Sequence, residues 1–212
     1  MPINAAMARR LSLEPKWRFC IGISLCAALL TYWPQGLSLF RYDRAGLLAG
    51  EGWRIATAHL VHLNSTHLVF NLLGLFLLCE LLWAGLPLRH AAGMLGASGL
   101  AVSVLLWWQA PHIAWYVGLS GALHGLWAGC ALRATWGARA QSVPPRAART
   151  LCAAGLLVLM LKLALEWLFG ASQSTAQAIG APVIAQAHCY GALTGAVYVA
   201  MWRAAEKLPS RR

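Results

Sequence analysis

The sequence predicts an all-α polytopic membrane protein, a six-helix bundle with both termini in the cytoplasm. Three observations predict it: 59% apolar residues against 11% charged over 212 residues, six apolar runs of span length, and a one-sided distribution of the 17 basic residues. With glycine added and tyrosine set aside, the apolar share reaches roughly two thirds, where soluble domains hold about 45–50%. A water-soluble globule of this size needs far more surface charge. The composition therefore excludes a soluble enzyme, a disordered tail and a disulfide scaffold.

A basic cytoplasmic N-terminus over 1–16 precedes a six-helix core over 17–202. Its spans run over about 17–33, 67–84, 90–108, 119–136, 151–169 and 183–202, each near the ~20 residues that cross the hydrocarbon. Arg9 and Arg10 ahead of the first apolar run imitate a signal peptide, but no small-x-small cleavage site opens onto a mature soluble chain, so the run reads as a retained span. The first outer loop, about 34–66, mixes Phe40, Tyr42 and Trp53 with polar residues and is expected to lie in the membrane interface. The cytoplasmic linker, about 137–150, contains Pro144, Pro145 and three arginines. The uncharged loop over 170–182 can rest on headgroups or cover a site. A basic tail over 203–212 follows the core.

With the N-terminus inside, Arg41, Arg44 and Arg54 fall outside, Lys162 lies within a span, and the other 13 of the 17 basic residues are cytoplasmic. This is the positive-inside pattern. It accounts for the net charge of +11, so the expected partner is the lipid bilayer and not nucleic acid. The six cysteines (Cys20, Cys26, Cys79, Cys130, Cys152, Cys189) all fall in spans without a CxxC pair and read as buried apolar thiols.

Polar groups inside a membrane are costly unless paired or facing a wet cavity, so each one is a functional candidate. Span two opens with His67 and Asn71, four apart on one helical face. Span four opens with Gly118, Ser120 and Gly121 and has His124 one turn below the serine. Span six carries His188, and span five holds Lys162 and Glu166. A serine hydroxyl becomes a useful nucleophile when an imidazole takes its proton, which singles out Ser120 and His188. The soluble-hydrolase G-x-S-x-G elbow is excluded, because Ala122 stands at its second glycine. Gly121, Gly125 and Gly129 instead form a small-residue stripe on span four. Gly191 and Gly195 form another on span six, and such stripes let two membrane helices approach closely. The stripes are expected to bring Ser120 to His188, although a lone serine or glycine stripe is commonly structural. His67 and Asn71 can supply oxyanion donors at the same depth or merely satisfy the loop.

The runs G-W-R at 52–54, A-H-L-V-H-L-N-S-T-H-L-V-F-N at 58–71, G-L-S-G at 118–121 and A-H-C-Y-G-A-L-T-G at 187–195 resemble the rhomboid intramembrane serine proteases in motif, order and span number. The resemblance covers about residues 50–202. It implies Ser120 as nucleophile, His188 as base, and an oxyanion pocket from His67, Asn71 and the Ser120 amide. It also implies Gly118 beside that pocket and a structural role for Trp53 and Arg54. A dyad without Asp is expected, since the only aspartate is Asp43.

The G-L-S-G-x-L-H-G run at 118–125 is similar to the bacterial rhombosortase branch. That similarity implies membrane-anchored substrates bearing a C-terminal Gly-Gly sorting tail, cleaved on the periplasmic side of the inner membrane, with hydrolysis and transfer to a new anchor both compatible. His124 departs from the broader family's aromatic residue and is expected to pack against the catalytic imidazole. Lys162 and Glu166 are expected to neutralise each other, or to line substrate entry and read the Gly-Gly backbone. Glu80 is expected at helix ends or the first loop, His59 and His62 in ordering that loop, and His90 and His112 at the interface.

No cofactor or metal is expected. His59, His62 and His67 lack acidic partners, and H-E-x-x-H is absent. The alternative readings are a non-catalytic rhomboid-like substrate-binding protein and a small transporter; the lack of an inverted repeat counts against the latter.

Overall fold

The computed structural model of the protein describes residues 14–83, 86–136 and 146–207. Most of the basic N-terminus, the linker over 137–145 and the tail from 208 onward lie outside the described residues. In chain order the elements are α1 (Pro15–Tyr32), α2 (Gly36–Phe40), β1 (Tyr42–Asp43), α3 (Arg44–Leu48), α4 (Arg54–Thr57), α5 (Ser65–Leu82), α6 (Leu88–Gln109), β2 (Trp115–Tyr116), α7 (Ser120–Thr135), α8 (Arg146–Phe169), α9 (Gln173–Ile179) and α10 (Ala185–Lys207). The six long helices overlap the six expected runs. Among the described residues, α5, α6 and α8 are long and apolar enough by themselves to cross a membrane.

α7 sits at the centre, with most of its residues buried against α6, α8 and α10. Its tightest neighbour is α10, for a reason visible in the glycines. A Cβ at Gly191 would collide with the Gly121 carbonyl oxygen, and one at Gly195 with that of Gly125. The two backbones therefore touch at the glycine stripes, an approach that any side chain at these positions would prevent. Behind this seam, Leu75, Cys79, Met94, Leu119 and Leu126 fill the main core. α8 is the loosely held member, burying only Cys152 and Leu159.

The first outer loop is an ordered substructure. It folds into α2, β1, α3 and α4, because its arginines satisfy backbone carbonyls that would otherwise be stranded. Arg54 is buried and donates to Ser38 O at 2.7 Å, to Arg41 O at 3.0 Å and to the Glu51 carboxylate. Arg44 donates to Trp107 O at 3.0 Å and its guanidinium lies over the Trp107 ring. β1 pairs antiparallel with β2, Tyr42 opposite Tyr116, which ties the loop to the strand leading into Ser120.

One smaller expectation is corrected. Cys26 is exposed on the outer side of α1 and Cys189 is half-buried, so only four of the six thiols are in the core; an apolar thiol can face lipid as well as protein. The loop over 170–182 is largely helical, α9 being capped by Ser172 Oγ on Thr175 N and closed by Gly180 at φ +76°. Glu80, expected at helix ends or the first loop, pairs with Lys16 at 2.8 Å at the start of α1.

Candidate active site

Ser120 is the first residue of α7 and His188 lies in the first turn of α10. The glycine seam holds the two helices at a separation that leaves His188 Nε2 3.1 Å from Ser120 Oγ. His188 is buried and its Nδ1 lies 2.7 Å from Glu166 Oε2. A carboxylate only accepts, so Nδ1 carries the proton and Nε2 presents its lone pair to the hydroxyl. That is the tautomer a base requires. His124 stacks on His188, with ring centroids 4.0 Å apart and 13° between planes, and its Nδ1 lies 2.7 Å from Ser120 O.

The approach to Ser120 is shaped by Gly118, whose φ of +108° is available to glycine and strained for other residues. Gly118 N donates to Ala58 O at 2.8 Å, and its own carbonyl accepts from Tyr116 Oη at 3.0 Å. Burial pushes the Tyr116 phenol up to about 12, so it remains a donor. The His67 ring and the Asn71 amide flank Gly118; a Cβ there would lie 2.7 Å from His67 Nε2 and 3.8 Å from Asn71 Nδ2. His67 Nδ1 accepts from Leu63 N at 3.5 Å, which leaves the hydrogen on Nε2. Asn71 Nδ2 spends one hydrogen on His67 O at 3.0 Å and keeps the other. Asn64 fixes this end of α5, accepting from His67 N at 2.9 Å and donating to Ile179 O of α9 at 2.8 Å. The Ser120 amide, first in its helix, has no intrahelical acceptor and sits at the positive end of the dipole.

Lys162 donates to Glu166 Oε1 at 2.6 Å and comes within 3.3 Å of His188 Nδ1. The sequence placed these two residues on one face of their helix. It did not reveal that this face meets His188, because the spacing within α8 says nothing of its rotation against α10. Neither His59 nor His62 reaches the serine. His59 Nε2 pairs with Ser103 Oγ at 2.9 Å, and His62 Nδ1 with Thr31 Oγ1 at 3.3 Å. Among the described residues no group of three His, Cys, Asp or Glu side chains is arranged to hold a metal. His90 stacks on Trp202 at the opposite end of the bundle from Ser120.

Ser120, His188, His67, Asn71, Lys162 and Glu166 all line one cavity of about 1070 Å³. Its upper wall is α9 and the β2 segment. Its sides are apolar faces of α5 and α8, including Leu77, Leu81, Val158 and Leu161, which are themselves exposed. The cavity thus leads from polar groups at one end of the bundle to a surface of hydrocarbon character.

A helical membrane bundle with a serine and an imidazole in contact at the head of an apolar cleft defines the class. The family model described as Rhomboid domain matches residues 49–205, and the chain belongs to the rhomboid family. It is also similar to the protein named "Putative rhomboid protease YdcA" of Bacillus subtilis (strain 168), being 33% identical over 81 residues, 38% of this chain and 41% of that protein. The match spans less than half of that relative's length.

Proposed function

We propose that the protein is an intramembrane serine endopeptidase in which Ser120 attacks a peptide carbonyl and His188 takes its proton. The observation that carries this reading is the 3.1 Å contact between Ser120 Oγ and the unprotonated Nε2 of His188 in a cavity walled by apolar helix faces. Attack forms the Oγ–C bond and turns the carbonyl into an oxyanion. His67 Nε2–H, the free Asn71 hydrogen and the Ser120 amide are the donors at hand for that charge. The proton on His188 then passes to the leaving amine, and water repeats the sequence on the acyl-enzyme.

We further propose six spans with both termini cytoplasmic, so that the site opens on the periplasmic side of a bacterial inner membrane. The excess of cytoplasmic arginine and lysine supports this orientation. Lys16, Arg133, Arg203 and Lys207 lie at the helix ends remote from Ser120. Side entry between α5 and α8, where α8 is thinly packed, suits a membrane-anchored substrate. The G-L-S-G-x-L-H-G run supports a rhombosortase-type substrate with a C-terminal Gly-Gly tail. Two glycines are easily unwound from a helix, which exposes their carbonyls to a nucleophile.

A serine-directed fluorophosphonate tests the assignment. Labelling is expected in the purified protein, unchanged by chelators and abolished in Ser120→Ala. Label retained by Ser120→Ala, or lost to a chelator, contradicts it.

A further inference from the structure

The contact between Glu166 and His188 gives the serine–histidine pair a third member. We propose that Glu166 is a positioning residue that holds His188 in its Nδ1–H tautomer and stabilises the imidazolium formed when Ser120 loses its proton; this rests on the protease reading above. Glu166 reaches His188 Nδ1 at 2.7 Å with Oε2 while Oε1 takes the Lys162 ammonium at 2.6 Å. The two oxygens thus have separate partners, and the carboxylate is the more buried end of the Lys162–Glu166 pair, 12% exposed against 35%.

A pair formed only to cancel charge has no reason to turn its acid inward onto an imidazole, because buried charges in lipid are costly. Lys162 also lies 3.3 Å from Nδ1, but a protonated Nδ1 cannot accept from it. The shorter, charge-assisted contact with the carboxylate decides the tautomer. Lys162 then acts on Glu166, keeping it ionised, and not on the imidazole.

In the reacting complex the Oγ–H proton moves to Nε2 as the Oγ bond to the electrophile forms. The Nδ1–H stays on the imidazole, bonded to Glu166, and the Nε2 proton leaves with the departing group. The carboxylate is never protonated. It lowers the energy of the charged ring and prevents the ring from rotating, as the acid of a serine triad does. The signal in the sequence was the i, i+4 spacing of Lys162 and Glu166 in the outer half of a span, at the depth of Ser120. The one missing element was the packing of α8 on α10.

The test is saturable fluorophosphonate labelling of the purified full-length protein in detergent, in which the P–F bond breaks and the Ser120 Oγ–P bond forms. Glu166→Gln is expected to lower the maximal labelling rate by about 10²- to 10⁴-fold, by analogy with amide replacement of a triad acid. The half-saturating probe concentration should stay within about threefold. The acidic limb of the rate–pH profile should move to lower pH, since the charged ring loses its counterion.

The other charged and titratable groups facing His188, namely Lys162 from α8, His124 from α7 and His67 from α5, are unchanged in that variant. Lys162→Met/Glu166→Gln removes both charges and leaves no unpaired ammonium, so it also serves if the single variant does not fold. The proposal expects the double variant to be as slow as the single one, whereas mere charge cancellation expects recovery. A labelling rate within threefold of the unaltered protein in Glu166→Gln, or recovery in the double variant, overturns the role of Glu166 alone. Absence of Ser120-dependent labelling in the unaltered protein overturns the protease reading together with it.

Discussion

At Gly118 two independent constraints meet: a φ of +108° and a His67 ring that would lie 2.6 Å from any Cβ. Gly118→Ala is therefore expected to displace His67 or twist the strand into Ser120. Cleavage should fall by at least about 100-fold, the cost of losing one oxyanion donor. A turnover assay on the folded variant checks this, and near-normal turnover would show that His67 does not serve the oxyanion. His124 meets a different demand. Its contribution at His188 is a parallel ring face, so His124→Phe keeps the stacking surface and is expected to retain activity within about tenfold. Loss as complete as in His188→Ala would instead make His124 a proton carrier. Ser120, His188, His67 and Asn71 could each be picked out from the sequence because polar groups are rare in these helices. The third partner of His188 could not, since a Lys–Glu pair at i, i+4 already satisfies itself on paper.

Among the elements, the α7–α10 seam fixes the distance on which the chemistry depends. Gly191→Ala places a methyl on the Gly121 carbonyl and must push the helices apart, at a cost of about 1–3 kcal/mol for overpacking. The serine–histidine contact lengthens with it. Gly22 on α1 has open space around its Cβ position, and Gly22→Ala is expected to be neutral or slightly stabilising because alanine favours helix. Unfolding temperature and turnover, measured together, should fall for Gly191→Ala and hold for Gly22→Ala; equal behaviour of the two would remove the seam from the account. The helices themselves were legible as apolar runs, and the glycine stripes gave their pairing. The first outer loop was not legible, because its order comes from Arg44 and Arg54 bonding to distant carbonyls, and no local pattern encodes such pairings.

Taken whole, the molecule rests on a polar cap over an apolar bundle, and that cap carries buried neutral histidines. Burial pushes His59 down to about 4 and His62 to about 3. Both are neutral in the folded state, so their contribution is complete above the unfolded value near 6.5 and is lost as pH falls toward the folded values. Between pH 6.5 and pH 5 each is expected to cost about 2 kcal/mol. Asp43, held low chiefly by the Gly46 amide and then by Arg41, adds a further loss at more acidic pH. The unfolding temperature in detergent should drop between pH 7 and pH 5, and a flat profile would mean that these rings are wet. The apolar, helical character of the bundle was legible from the composition, whereas the cavity between α5 and α8 emerges only when the helices are packed.

The most direct test of the whole account is cleavage by the purified protein in lipid vesicles. The substrate is a single-span reporter carrying Gly-Gly at its outer boundary and arginines at its C-terminus, with product masses recorded. The account predicts one cut near the glycine pair, absent in Ser120→Ala and in His188→Ala. The same cut made by Ser120→Ala would contradict it.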